Sequence, residues 1–156
     1  MLEQLALGHR VINIDQTWIN DTNHKRRKWR LRGQSNSSPE NKVSPRVSVQ
    51  MAICTGGKLY CALTQVNTDS DVYCLFISKL VAKLTSEDRN WRQNTVLLID
   101  GAKYQTGEQS IKHMKALGIN VCVSAPYSYA SAPIEYAFGF LKSVDLNPDR
   151  LSTGKR

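Results

Sequence analysis

Apolar residues recur along this chain with two different periods. The first sixty-odd residues carry the period of strands. Val11-Ile-Asn-Ile-Asp15 is a short apolar run closed by a carboxylate, which predicts a buried strand ending at Asp15. Residues 28–32, Lys-Trp-Arg-Leu-Arg, predict a second, basic strand, and Gly33 to Lys42 reads as a polar loop rich in Ser and Asn. From 47 to 53 the alternation is clean: Val47, Val49, Met51 and Ile53 point one way, and Ser48, Gln50 and Ala52 the other. Gly56-Gly57 suits a turn, and Leu59, Cys61 and Leu63 alternate in the returning strand.

Past residue 69 the period becomes helical. Asp69 or Ser70 can cap a helix whose buried stripe is Val72, Phe76, Leu80 and Leu84, with Lys79 and Lys83 off it. Val96-Leu-Leu-Ile-Asp100 is a continuous apolar run, expected of a central strand covered on both faces. Thr106-Gly-Glu-Gln109 resembles a capping box, followed by Ile111, Met114 and Leu117 on one helix face until Gly118. Ile119 to Val123 predicts another strand. Pro133 then opens a helix with Ile134, Phe138 and Leu141 as its stripe, and Glu135, Gly139 and Lys142 on another side. A strand meander followed by alternating helices and strands predicts an α/β domain, one mixed sheet with helices on both faces.

Composition changes this picture in two places. At 156 residues and 41% hydrophobic, the chain is sized for one domain with a real core. No apolar run reaches about 18 residues, and the first ten residues lack the basic and apolar regions of a signal peptide, so a soluble intracellular protein without membrane contact is expected. Cys54, Cys61, Cys74 and Cys122 form no Cys-x-x-Cys pair and have no zinc spacing to His9, His24 or His113, so all four are expected to pack in the core. The histidines are expected on the surface or in loops. Charge, in contrast, is concentrated. Residues 24–32 hold six of the 21 basic residues and no acid, and the remainder is nearly balanced at 15 basic to 13 acidic. Lys25, Arg26, Arg27, Lys28, Arg30 and Arg32, interleaved with Trp29, are the expected contacts to a nucleic-acid backbone; a solvated loop or a nuclear import signal is the alternative.

Three carboxylates carry the candidate chemistry, and each has an ordinary explanation of its own. Asp15 could start a turn, Asp100-Gly101 is a hairpin signal, and Glu135 suits the first turn of a helix through its dipole. Taken together they suggest a second role. Phosphodiester cleavage near neutral pH needs an activated nucleophile and charge stabilisation at the phosphate, which two Mg²⁺ or Mn²⁺ ions supply. Such hard cations take carboxylate oxygens. Two strand ends and a helix start can converge on such a site.

Asp15 in Ile-Asp-Gln-Thr-Trp, Asp100 in Val-Leu-Leu-Ile-Asp-Gly-Ala and Glu135 in Ala-Pro-Ile-Glu resemble the DDE triad of the Tc/mariner transposases and their bacterial insertion-sequence relatives. The interval between Asp100 and Glu135 holds 34 residues, a spacing typical of that group, and Lys28-Trp-Arg-Leu-Arg-Gly-Gln34 resembles its basic Trp…Gly strand. The resemblance implies a ribonuclease H-like fold with a mixed five-stranded sheet over residues 11–143, an N-terminal extension at 1–10 and a tail at 144–156. It implies Mg²⁺- or Mn²⁺-dependent DNA cleavage and strand transfer, with Asp15, Asp100 and Glu135 as catalytic residues holding two ions. The implied partners are transposon-end and target DNA, with a homodimer left open, and the expected location is the nucleus or, alternatively, a bacterial cytoplasm. There are departures. The helix-turn-helix region usual before the first acid is expected to be missing. The group's Asp-Asn-Ala-x-x-His is here Asp100-Gly101-Ala102 with Gln105, and its Leu-Asn-Pro is Ser131-Ala132-Pro133. A DNA-binding remnant or another ribonuclease H-like nuclease therefore stands as the alternative.

Overall fold

The computed structural model describes residues 8–19, 32–33, 47–125 and 132–143. Five strands form one sheet: β1 (Arg10–Ile19), β2 (Val47–Cys54), β3 (Leu59–Thr64), β4 (Thr95–Ile99) and β5 (Asn120–Val123). The helices are α1 (Ser70–Glu87), a single turn α2 (Lys103–Thr106), α3 (Glu108–Ala116) and α4 (Pro133–Ser143), with a 3₁₀ turn at Trp91–Gln93. The strand order is β3-β2-β1-β4-β5. The meander β1–β2–β3 is antiparallel, whereas β4 and β5 add in parallel on the other side of β1.

The alternation of β1 and β2 sends side chains to two cores. Ile12, Ile14, Ala52 and Cys54 meet Leu97 and Ile99 of β4 beneath α1, whose buried positions are Tyr73, Phe76, Ile77, Leu80, Val81 and Leu84. The opposite face gathers Val49 and Met51 with Ile134 and Phe138 of α4. Covered on both sides, β4 is buried at all five positions, as its unbroken apolar run requires. Asp69 caps α1, its Oδ1 accepting the Val72 N–H at 3.0 Å. The β2–β3 turn uses Gly57 at φ +81, a conformation costly for any residue with a Cβ. Trp91, fully buried within a polar stretch, donates its Nε1–H to Thr85 Oγ1 at 3.0 Å and carries the Arg92 guanidinium over its ring.

Several sequence expectations need correction. β1 does not stop at Asp15 but runs on to Ile19, because Gln16, Thr17 and Trp18 continue the alternation and pair with β2. The stripe of α1 is wider than predicted, and Val72 is only half-buried. Thr106 is no cap: it closes α2, its hydroxyl donating back to the Ala102 carbonyl at 3.0 Å, and α3 starts after Gly107 without a side-chain cap. Gly107 is needed there for space, since a Cβ would lie 2.8 Å from the Lys103 carbonyl oxygen. Of the four free cysteines only Cys54 is buried; Cys74 and Cys122 are half-buried, and Cys61 is exposed. Cys61 lies on the edge strand β3, whose outward positions are open to solvent, since α4 covers β1 and β2 rather than that edge. His113 is half-buried in α3, bonded to Ser78 of α1 at 2.8 Å. His24 and the basic strand at 28–31 lie outside the described residues. Among the described residues no helix is long and apolar enough to cross a membrane.

Candidate active site

The last β1–β4 pair is Asn13 with Leu98. Continued by two residues, that register sets Asp15 level with Asp100, which follows directly on β4. Side chains two apart share a face, so Asp15 lies on the face of Asn13, the face under α4. Asp100 starts no hairpin: its Oδ1 accepts the Ala102 N–H at 3.1 Å, and the chain turns into α2. Glu135 belongs to the first turn of α4. Ile134 beside it is fully buried and donates its N–H to Asn13 Oδ1 at 3.2 Å. The parallel β1–β4 register, the end of β4 and the start of α4 thus bring the three acids to the same part of the sheet, with Asp15 in mid-strand.

The electrostatics agree with that placement. The Asp15 carboxyl is pushed up from 3.8 to about 6, first by burial. A 2.7 Å hydrogen bond from the Gln16 N–H opposes the rise, the charges of Asp100 and Glu135 add to it, and Lys142 opposes it. Lys142 stands two turns along α4 from Glu135, so both charged ends of that helix face act on Asp15. Tyr104 of α2 is raised to about 12, again chiefly by burial, and both Asp15 and Asp100 contribute. Burial is the first cause of both shifts, and the smaller share from neighbouring acids places Asp15 within reach of the charges of Asp100 and Glu135.

Asp15 also borders a tight cleft with Gln16, Gln50, Tyr73, Tyr104 and Gln105. Gln50 and Gln105 are buried, and the Oε1 atom of each lacks a hydrogen-bond partner. Gln105 was marked in the sequence only as a departure from the resembled group's His, and Gln50 and Asn13 escaped sequence reasoning as site residues. The one available signal was Asn13 itself, a polar residue inside an apolar strand with the parity of Asp15.

The donor chemistry fits a hard divalent cation: three carboxylates at one part of the sheet, with the charge of two felt by the third. Two of them, Asp15 and Asp100, have one oxygen engaged by a backbone N–H and a second oxygen besides. Among the described residues, however, no three Asp, Glu, His or Cys side chains stand close enough to grip one ion as placed. Lys25, Arg26, Arg27, Lys28, Trp29 and Arg30 lie outside the described residues; Arg32 is exposed in a turn with Gly33 at φ +93.

The profile of the family described as DDE superfamily endonuclease matches residues 10–155. No curated protein is detectably similar in sequence. Among solved structures, the Mos1 transposase paired-end complex with left transposon end superposes with a TM-score of 0.70 at 21% identity, covering 90% of this chain and 45% of that one. The catalytic domain of Mos1 mariner transposase gives 0.64 at 16% identity, covering 90% and 64%. The catalytic core domain of BIV integrase gives 0.52 at 16%, covering 85% and 66%. The shared fold is ribonuclease H-like, and the chain spans about half the length of the Mos1 transposase in its DNA complex.

Proposed function

The chain belongs to the DDE superfamily endonucleases, and on that premise we propose that it cleaves DNA strands and transfers the freed ends, as the catalytic domain of a Tc/mariner-type transposase. The observation that carries the proposal is geometric: the β1–β4 register sets Asp15 level with Asp100, and the first turn of α4, tied to Asn13 on the same face, carries Glu135. Asp15, Asp100 and Glu135 would hold two Mg²⁺ or Mn²⁺ ions. The Mos1 mariner paired-end complex has been solved with Mn, and the Mos1 transposase catalytic domain with raltegravir and Mg, which supports the choice of cation. Bound there, such ions would supply an activated hydroxyl nucleophile and charge neutralisation at the scissile phosphate.

The chain's own residues supply the rest. The acids would supply the charge that selects a divalent cation, with Asp15 already largely ionised near neutrality. Lys25, Arg26, Arg27, Lys28, Arg30 and Arg32 would hold the DNA through its phosphates, with Trp29 stacked among them. Phosphate contacts position a protein without specifying a sequence, so recognition of transposon ends is not assigned to this strip. The DNA partners are transposon ends and target, and the basic strip favours a nuclear setting over a bacterial cytoplasm.

A second reading, a remnant that binds DNA without cutting it, draws on two observations. The described residues contain no ready three-ligand cluster, and Gly101 and Gln105 stand where the resembled group has Asn and His. Supercoiled plasmid incubated with Mn²⁺ or Mg²⁺ separates the two. Nicking by the wild-type chain that Asp100→Asn abolishes supports the enzyme, equal nicking by both refutes the assigned site, and binding without nicking supports the remnant.

A further inference from the structure

Asn13 is a buried amide in the middle of β1, and both of its polar atoms are used. Its Nδ2 donates to the Leu98 carbonyl of β4 at 3.3 Å. Its Oδ1 accepts the Ile134 N–H of α4 at 3.2 Å, across 121 residues of sequence. Each of the three points it joins lies one or two residues before an acid: Asn13 before Asp15, Leu98 before Asp100, Ile134 before Glu135. The N–H it satisfies belongs to the first turn of α4, where no carbonyl of the same helix can reach it.

We propose that Asn13 is a positioning residue that sets the three carboxylates relative to one another. Resting on the metal-site reading above, the inference assigns it no contact with substrate. The apolar contacts of Ile134 and Phe138 press α4 onto the sheet, but apolar contacts are not directional and set the register of the helix less sharply than a hydrogen bond does. The amide bridge is directional and fixes the start of α4 against both strands at once. Removing it leaves the Ile134 N–H buried without a partner and takes from the Leu98 carbonyl its bond to the side-chain amide, so the start of α4 loses its directional tie to the sheet. Changes in residues that orient metal ligands lower metal affinity by about 10–100-fold.

The test measures two properties of the purified full chain that do not depend on turnover: amide hydrogen exchange at Ile134, and Mn²⁺ affinity by calorimetry. Asn13→Leu fills the space without the bonds, and Asn13→Ala takes its place if the leucine variant does not fold. Ile77→Val, in the other core, serves as a comparison for general loss of stability. Either Asn13 variant is expected to speed Ile134 exchange and to weaken Mn²⁺ binding about 10-fold, whereas Ile77→Val does neither. Unchanged Mn²⁺ affinity in the Asn13 variants, or an Ile134 amide unprotected in wild type, overturns the inference while leaving the metal site standing. Mn²⁺ binding that Asp100→Asn does not weaken overturns the metal-site reading and this inference with it.

Discussion

Replacing Asp15 by Asn should make the metal-free protein more stable at neutral pH while removing its cleavage activity. In the folded chain this carboxyl is raised from 3.8 to about 6, mainly by burial. Between roughly pH 4 and 6 the folded state therefore holds a proton that the unfolded state has lost, and stability falls as pH rises through that window. Above it the full cost is present. A rise of that size corresponds to an upper limit of about 3 kcal/mol. Because the carboxylate is only partly shielded from solvent, about half of that, roughly 1.5 kcal/mol, is the working expectation. Asn keeps the oxygen that accepts the Gln16 N–H and removes the charge that Asp100 and Glu135 oppose. In EDTA at pH 7.5 the variant should melt roughly 3–6 °C higher than wild type. The gain should shrink toward zero near pH 4, where both forms are neutral. A variant that melts at or below wild type at pH 7.5, or whose gain is the same at pH 4, would refute the burial of a charged Asp15 beside Asp100 and Glu135.

Other consequences reach further from the site. Phe138→Ala empties a buried position between α4 and the sheet and should cost about 3–5 kcal/mol in denaturant unfolding; a loss under about 1 kcal/mol would mean that α4 is not seated as described. Replacing Lys25 and Arg27 with Ala should lower the slope of log K against log salt for DNA binding by roughly 2 in magnitude, with little change in sequence preference. An unchanged slope would return the strip to a solvated loop or an import signal.

What could be read from the sequence was local. The β2–β3 hairpin was legible because alternation and the Gly57 turn point the same way, and β4 because Val96 to Ile99 is an unbroken apolar run closed by Asp100. Asp69 was legible as a cap because its bond reaches only three residues. The extent of β1 was not, since Asp15 closes the apolar run while the backbone pairing to β2 does not depend on side-chain polarity. Trp91 sits in a polar stretch and is buried by distant elements, so no periodicity marks it. Asp15, Asp100 and Glu135 could be singled out by residue type and spacing, but their meeting at one part of the sheet depends on the parallel β1–β4 register. The amide that ties them spans 121 residues and leaves no local trace.

The most direct test of the central claim is a crystal structure of this chain grown with Mn²⁺, with the metal located by anomalous scattering. The account predicts manganese peaks bonded to carboxylate oxygens of Asp15, Asp100 and Glu135, and their loss in Asp100→Asn. Manganese bound elsewhere, with those three carboxylates free of it, would contradict the account.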